Sequence, residues 1–156
     1  MLVKNLRRIY FLTVSFFGHK DAYNIDKEKL FTLLCELVKN ERACSFYVGD
    51  SGQFDKAVAN VLARLKQKYP HIDYAIVLAY LPRSAEYKER TESHPTLFPE
   101  SASRALPRFA INARNLWMIE NSDTVITYVT RGFGGAARFK QIAERKRKRI
   151  IDFSII

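Results

Sequence analysis

YFLTVSFF, residues 10–17, followed at once by Gly18-His19-Lys20, is the stretch that decides the fold. Eight consecutive apolar or β-prone residues without polar alternation are what a strand covered on both faces requires. Two later stretches repeat the arrangement. Residues 43–48 run into Gly49-Asp50-Ser51-Gly52, and residues 124–129 lead to Gly132-Phe133-Gly134-Gly135.

Helices fill the intervals. Asn24 or Asp26 can cap a helix over 26–39, whose Leu30, Leu33, Leu34 and Leu37 share one face. Val58, Val61, Leu62 and Leu65 mark the next, which stops before Tyr69-Pro70. A third strand is predicted over 72–81, a helix over 110–120, a basic helix over 136–147 and a closing strand over 149–156. Strands alternating with helices imply parallel pairing with helices on both faces. The fold expected is a doubly wound, Rossmann-like three-layer α/β/α sandwich: one domain over 1–156 with a mostly parallel sheet of about five strands.

Composition agrees. The chain has 156 residues, 47% hydrophobic and 13% aromatic, enough for one real core and too rich in large apolar side chains for disorder. Six Gly and five Pro exclude collagen-like and linker classes. No stretch reaches the roughly 18–20 apolar residues that span a bilayer. Lys4, Arg7 and Arg8 before the apolar run imitate a signal peptide, but Gly18-His19-Lys20-Asp21 is no small-residue cleavage site, so a first strand is expected. Cys35 and Cys44 lack CxxC or His spacing and read as reduced thiols, which suits the cytoplasm. His71 and His94 have no metal-like partners, and neither a metal nor a cofactor is expected.

Net charge is +10, and most of it is local. Residues 138–149 hold seven bases against one acid, Glu144. Such a run can bind polyanions, but cations also suit the C-terminal end of a helix dipole, and a solvated helix end is the preferred reading.

All six glycines fall after predicted strands and before helices, on the edge where open α/β sheets bind ligands. Glycine there lets backbone N–H groups approach an anion at a helix N-terminus. Gly18, His19 and Lys20 can meet a phosphate or ribose, although a surface turn explains them equally well. Gly49, Ser51 and Gly52 form a second turn. Asp55 beyond it can bind ribose hydroxyls or simply complement the dipole. Arg108, Arg114 and Asn115 flank the fourth helix, and arginine is the natural fork for phosphate. Trp117 and Met118 read as core. Gly134, Gly135 and Ala136 form the strongest phosphate cradle, yet match neither the P-loop nor the strict dinucleotide fingerprint. Residues 82–107 carry four of the five prolines and read as a lid or pocket wall on the same edge.

The order of motifs also resembles a known superfamily. GHK, VGDSGQFDKAV (48–58), YPHIDYAIVLAYLP (69–82), PRFAINARNLWMIENSDTVITYV (107–129) and GGAA (134–137) together resemble the SLOG superfamily, and within it the YpsA/YoqJ-type branch, over nearly the whole chain. The resemblance implies a Rossmann-like domain related to the LOG phosphoribohydrolases and the DprA DNA-processing domain. It also implies a nucleotide-derived ligand and a homodimer. LOG enzymes carry PGGxGTxxE, whose glutamate serves N-glycosidic cleavage. Aligned on Gly134 and Gly135, Ala137 replaces the third glycine, Arg138 the threonine and Gln141 the glutamate. Glutamine can hold a hydroxyl but cannot act as a general base.

The leading expectation is therefore a sensor or binding module for a nucleotide at the glycine-lined edge, with Arg114 neutralising phosphate. An N-glycoside hydrolase of nucleoside monophosphates, with Glu120 or Asp55 standing in for the glutamate, is the alternative. Nucleic-acid binding through residues 138–149 and the N-terminal bases is the third and less favoured reading.

Overall fold

The computed structural model describes residues 11–156, with the backbone alone at 90 and 91. Tyr10 and the N-terminal bases Lys4, Arg7 and Arg8 lie outside the described residues. Strand β1 (Leu12–Gly18) is followed by α1 (Lys27–Glu41), β2 (Ala43–Val48), α2 (Gln53–Lys68) and β3 (Asp73–Val77). The chain continues through α3 (Ala85–Glu92), β4 (Thr96–Leu97), α4 (Glu100–Arg104), α5 (Ala110–Glu120), β5 (Thr124–Tyr128), α6 (Gly135–Arg145) and β6 (Arg149–Asp152).

The strands form one sheet in the order β4-β3-β2-β1-β5-β6, and every described pairing is parallel. The chain winds outward from β1 to β4, then returns across the sheet to start β5 on the other side of β1. The order therefore reverses at β1/β5, where a doubly wound sheet opens a crevice at its carboxyl ends.

Adjacent residues of β1 show how both faces are covered. Successive strand side chains point to opposite faces. Phe16 goes to the α1/α2 side and lies 6.4 Å from Phe46, centroid to centroid; Phe17 goes to the α5/α6 side, 5.7 Å from Phe139. Leu30 and Leu34 of α1 and Val58, Leu62 and Leu65 of α2 complete the first layer. Met118 and Ile119 of α5 and Phe139 and Ala143 of α6 complete the second. The uninterrupted apolar run thus feeds two cores from one strand.

The sheet has six strands where the sequence pattern indicated about five. The sixth, β4, is two residues long within the proline-rich segment, too short to show any periodicity. It is held by Ile76 N–H donating to Pro95 O and Leu78 N–H to Leu97 O, both at 2.8 Å. The predicted third strand ends at Val77, although Leu78 and Ala79 beyond it are buried: apolar burial continues where ladder pairing has stopped. The closing strand ends at Asp152, whose carboxylate accepts from Ser154 N at 3.0 Å and starts a short 3-10 turn.

Candidate functional site

At the β1/β5 switch point the carboxyl edge opens into a cleft of about 410 Å³. Gly18, His19 and Lys20 come to it from the end of β1, and Gly49, Ser51, Gly52 and Asp55 from the β2–α2 turn. Arg114 and Asn115 reach it from α5, and Gly134, Gly135 and Ala136 from the start of α6. Of the residues expected to bind phosphate or ribose, Arg108 alone stays away: it is exposed, its guanidinium 4.8 Å from the Phe109 ring centroid. Ile111, Arg131 and Phe139 also line the cleft, beyond those expected.

Arg114 behaves differently from a free phosphate clamp. Its side chain is only 1% exposed. Nε donates to Asn115 Oδ1 (2.6 Å), Nη1 to Asp50 Oδ1 (3.0 Å) and Val77 O (2.8 Å), and Nη2 to Ser51 Oγ (2.8 Å). Four of the five guanidinium hydrogens are therefore spent on the protein. Burial makes Arg114 a brace joining α5, β3 and the β2–α2 turn, which leaves one guanidinium hydrogen for the direct phosphate contact expected of it. Its indirect effect on the cleft is considerable. A guanidinium can only donate, so Asn115 must present Oδ1 to it and keep its NH₂ for the cleft. Ser51 accepts through Oγ and likewise keeps its O–H as a donor. Gly49 is glycine because a Cβ would sit 2.9 Å from Arg114 Nη1 and 3.0 Å from Asp55 Oδ2.

Asp55 stands in the first turn of α2, where its carboxylate accepts from Ser51 N at 2.9 Å. It is the one carboxylate among the described residues lining the cleft. Burial pushes its carboxyl up to about 6, opposed first by the charge of nearby Arg114. A folded-state value above the unfolded one favours the protonated form, so this contribution to stability is complete below about 3.8 and is lost as pH rises through about 6. Asp55→Asn should remove that loss. Urea unfolding is expected to show wild type falling relative to the variant by about 2 kcal/mol between pH 4 and pH 7; a difference independent of pH would contradict this placement of Asp55.

His19 shifts in the opposite sense. It is buried, and Nε2 accepts from Thr130 N at 3.0 Å, which places the proton of the neutral ring on Nδ1. Burial, then the charge of Arg131, lowers its value below 6.5. Its contribution is present above about 6.5 and is lost on acidification. His19 thus ties the end of β1 to the loop after β5, which fits neither a free phosphate contact nor an idle surface turn.

The glycines divide into two kinds. A Cβ at Gly18 would lie 2.2 Å from the buried Phe54 ring, and one at Gly52 would lie 2.5 Å from Lys20 Cα. These glycines make room for the protein's own contacts. By contrast, a Cβ at Gly132, Gly134 or Gly135 would meet nothing within 4 Å. Gly134 has φ +94°, a conformation essentially reserved for glycine. Gly135 has neither a steric nor a conformational need to be glycine, and it lines the cleft.

That turn opens α6 without a side-chain cap. Asp26 caps α1 by accepting from Lys29 N; α2, α4, α5 and α6 have no side-chain cap, and of the two uncapped helices that start with a glycine turn at the cleft, α2 carries Asp55 in its first turn while α6 has no acid there. The unpaired first-turn N–H groups and the positive end of the helix dipole are thus left at the cleft. Arg131, just before the turn, adds a positive charge. Nη1 and Nη2 each donate at 3.0 Å to one oxygen of Asp21, joining the loops after β1 and β5, while Nε is buried without a partner among the described residues.

Other expectations separate from the cleft. Residues 82–107 are not a lid: they form α3, β4 and α4 at the sheet's outer edge, and among the described residues none lines the cleft. Gln141 is exposed and outside it. Glu120 ends α5 at the opposite edge of the sheet, 3.5 Å from Lys146. Three of the seven bases in 138–149 are paired with carboxylates, namely Lys140 with Asp152, Lys146 with Glu120 and Arg149 with Glu41. Trp117 packs edge-on against Tyr47 and Met118 is fully buried, as core residues should be. His94 Nδ1 meets Tyr74 Oη at 2.9 Å. Among the described residues no group of three metal-ligating side chains occurs, Cys35 and Cys44 are free, and no helix is long and apolar enough to cross a membrane.

Arg131 and Ile111 were open to discovery from the sequence. Arg131 follows its strand and precedes its glycine turn closely, as Lys20 accompanies Gly18. Ile111, Arg114, Asn115 and Met118 stand at i, i+3, i+4 and i+7, one stripe of a helix.

Among solved structures, that of DNA processing protein A (DprA) from Streptococcus pneumoniae is similar to this chain, with a TM-score of 0.65 at 16% identity. The match covers 91% of this chain and 50% of that one, so the chain spans about half the length of the DprA structure. No family model matches the chain. No curated protein matches it. The likeness to DprA is one of fold: both are Rossmann-like α/β domains.

Proposed function

We propose that this chain is a SLOG-type cytoplasmic domain that binds a nucleotide or nucleotide-derived small molecule, with its phosphate seated on the first turn of α6. The observation that carries this reading is an uncapped helix N-terminus whose glycines border open space, located at the switch-point cleft. The donors Ser51 O–H and Asn115 NH₂, both oriented by Arg114, and the cations Lys20 and Arg131 suit the anion and its ribose. Isothermal titration with AMP, ADP-ribose and NAD tests it. Saturable binding of one ligand per chain is expected, and heat at the level of dilution for all three would discard the reading.

Asp55 favours one second reading. A carboxyl whose value is raised to about 6 in a cleft can take a proton from water at neutral pH. Water would then add across the N-glycosidic bond of a nucleoside monophosphate, releasing free base and ribose 5-phosphate. Incubation with AMP should yield adenine, and Asp55→Asn should abolish the yield. Release that persists in the variant would remove Asp55 from the chemistry, and no release from wild type would leave binding alone.

A further inference from the structure

Phe133 has no evident structural role in the fold. The residue is 71% exposed at the tip of Gly132-Phe133-Gly134, and a Cβ on either flanking glycine would meet nothing within 4 Å. Isolated exposed apolar residues are common on proteins; this one is distinguished by its surroundings. The Arg131 guanidinium carbon lies 5.3 Å from its ring centroid, and Arg131 itself lines the cleft. Phe133 is two residues before Gly135, so their Cα atoms are at most about 7 Å apart. That is the scale of the ribose separating a phosphate from its base. A cation already lies near one side of the ring.

We infer that Phe133, backed by Arg131, is the stacking platform for the aromatic base of the ligand. The inference rests on the proposed phosphate seat at α6 and adds a selectivity to it: the site prefers nucleotides to bare sugar phosphates. Stacking one base on one aromatic side chain corresponds to about 5- to 150-fold in affinity. The contact is tolerant of base identity, because every base offers a π face, so selection falls on the presence of a base.

Isothermal titration of wild type, Phe133→Ala and Phe133→Trp with AMP, GMP and ribose 5-phosphate tests the inference. Wild type should bind AMP or GMP at least about tenfold more tightly than ribose 5-phosphate. Phe133→Ala should lose that preference while keeping its affinity for ribose 5-phosphate, and Phe133→Trp should restore it. Coincident urea unfolding curves establish that the exposed substitution leaves the fold intact. Unchanged nucleotide affinity in Phe133→Ala, or a parallel loss for ribose 5-phosphate, overturns the platform. Equal binding of sugar phosphate and nucleotides by wild type also overturns it while the phosphate seat stands. Binding of none of the three overturns the platform, and the phosphate seat falls with it when ADP-ribose and NAD also fail to bind.

Discussion

Arg114→Ala is expected to lower the stability of the domain by about 3–5 kcal/mol, the usual cost of removing one partner from a buried ion pair. For a chain of this length that corresponds to a fall of roughly 6–20 °C in Tm. The loss is large because one side chain serves four partners. Asp50 forfeits its ion pair, the Val77 carbonyl and Ser51 Oγ lose donors, and Asn115 is no longer oriented. Arg114→Lys should recover only a small part, since an ammonium on a flexible stem cannot reproduce the planar fork. Thermal and urea unfolding measure both variants. A loss below about 1 kcal/mol for Arg114→Ala would mean that the brace is dispensable, returning Arg114 to the role of a ligand contact.

The second large effect concerns binding and leaves stability almost untouched. Ala136 lines the cleft in the first turn of α6. A carboxylate there is favourable to the helix dipole, so Ala136→Asp should keep or raise stability by up to about 1 kcal/mol. The same carboxylate would occupy the anion seat. Two like charges about 4 Å apart in partly screened surroundings repel by about 4 kcal/mol, so nucleotide affinity should fall at least about 100-fold. Ala136→Asn, similar in size and uncharged, should lose much less. Opposite signs for stability and affinity separate this effect from general damage to the fold. If Ala136→Asp bound AMP as wild type does, the phosphate could not rest on α6.

How much of this was readable beforehand follows from what each feature depends on. Residues 10–17 could be read because a strand buried on both faces leaves an unmistakable apolar run, and the structure divides Phe16 and Phe17 between two cores. The edge bearing the glycines could be read because parallel strands bring all their carboxyl ends together. β4 could not, since two residues carry no period and its pairing partner β3 is about twenty residues away in sequence. The purpose of each glycine was also hidden. Gly18 and Gly135 look alike in a turn, and only tertiary contacts reveal that Phe54 fills the space beside one while nothing adjoins the other. Arg114 lines the cleft, and its engagement with four protein partners is not readable from the motif around it. Ala110, Arg114 and Met118 stand at i, i+4 and i+8 on one buried face of α5, and a buried arginine must satisfy its donors before it can serve a ligand.

A nucleotide phosphate seated on the first turn of α6 would show itself in thermal unfolding of wild type and Ala136→Asp against AMP, ATP, ADP-ribose, NAD and cyclic nucleotides. A ligand at about 100 times its Kd adds roughly 2.7 kcal/mol, which raises Tm by roughly 5–11 °C at this chain length. Wild type should shift by that amount with at least one member, and Ala136→Asp by no more than about 1–2 °C with the same ligand. An equal shift in both proteins, or none in wild type across the whole panel, would contradict that seat.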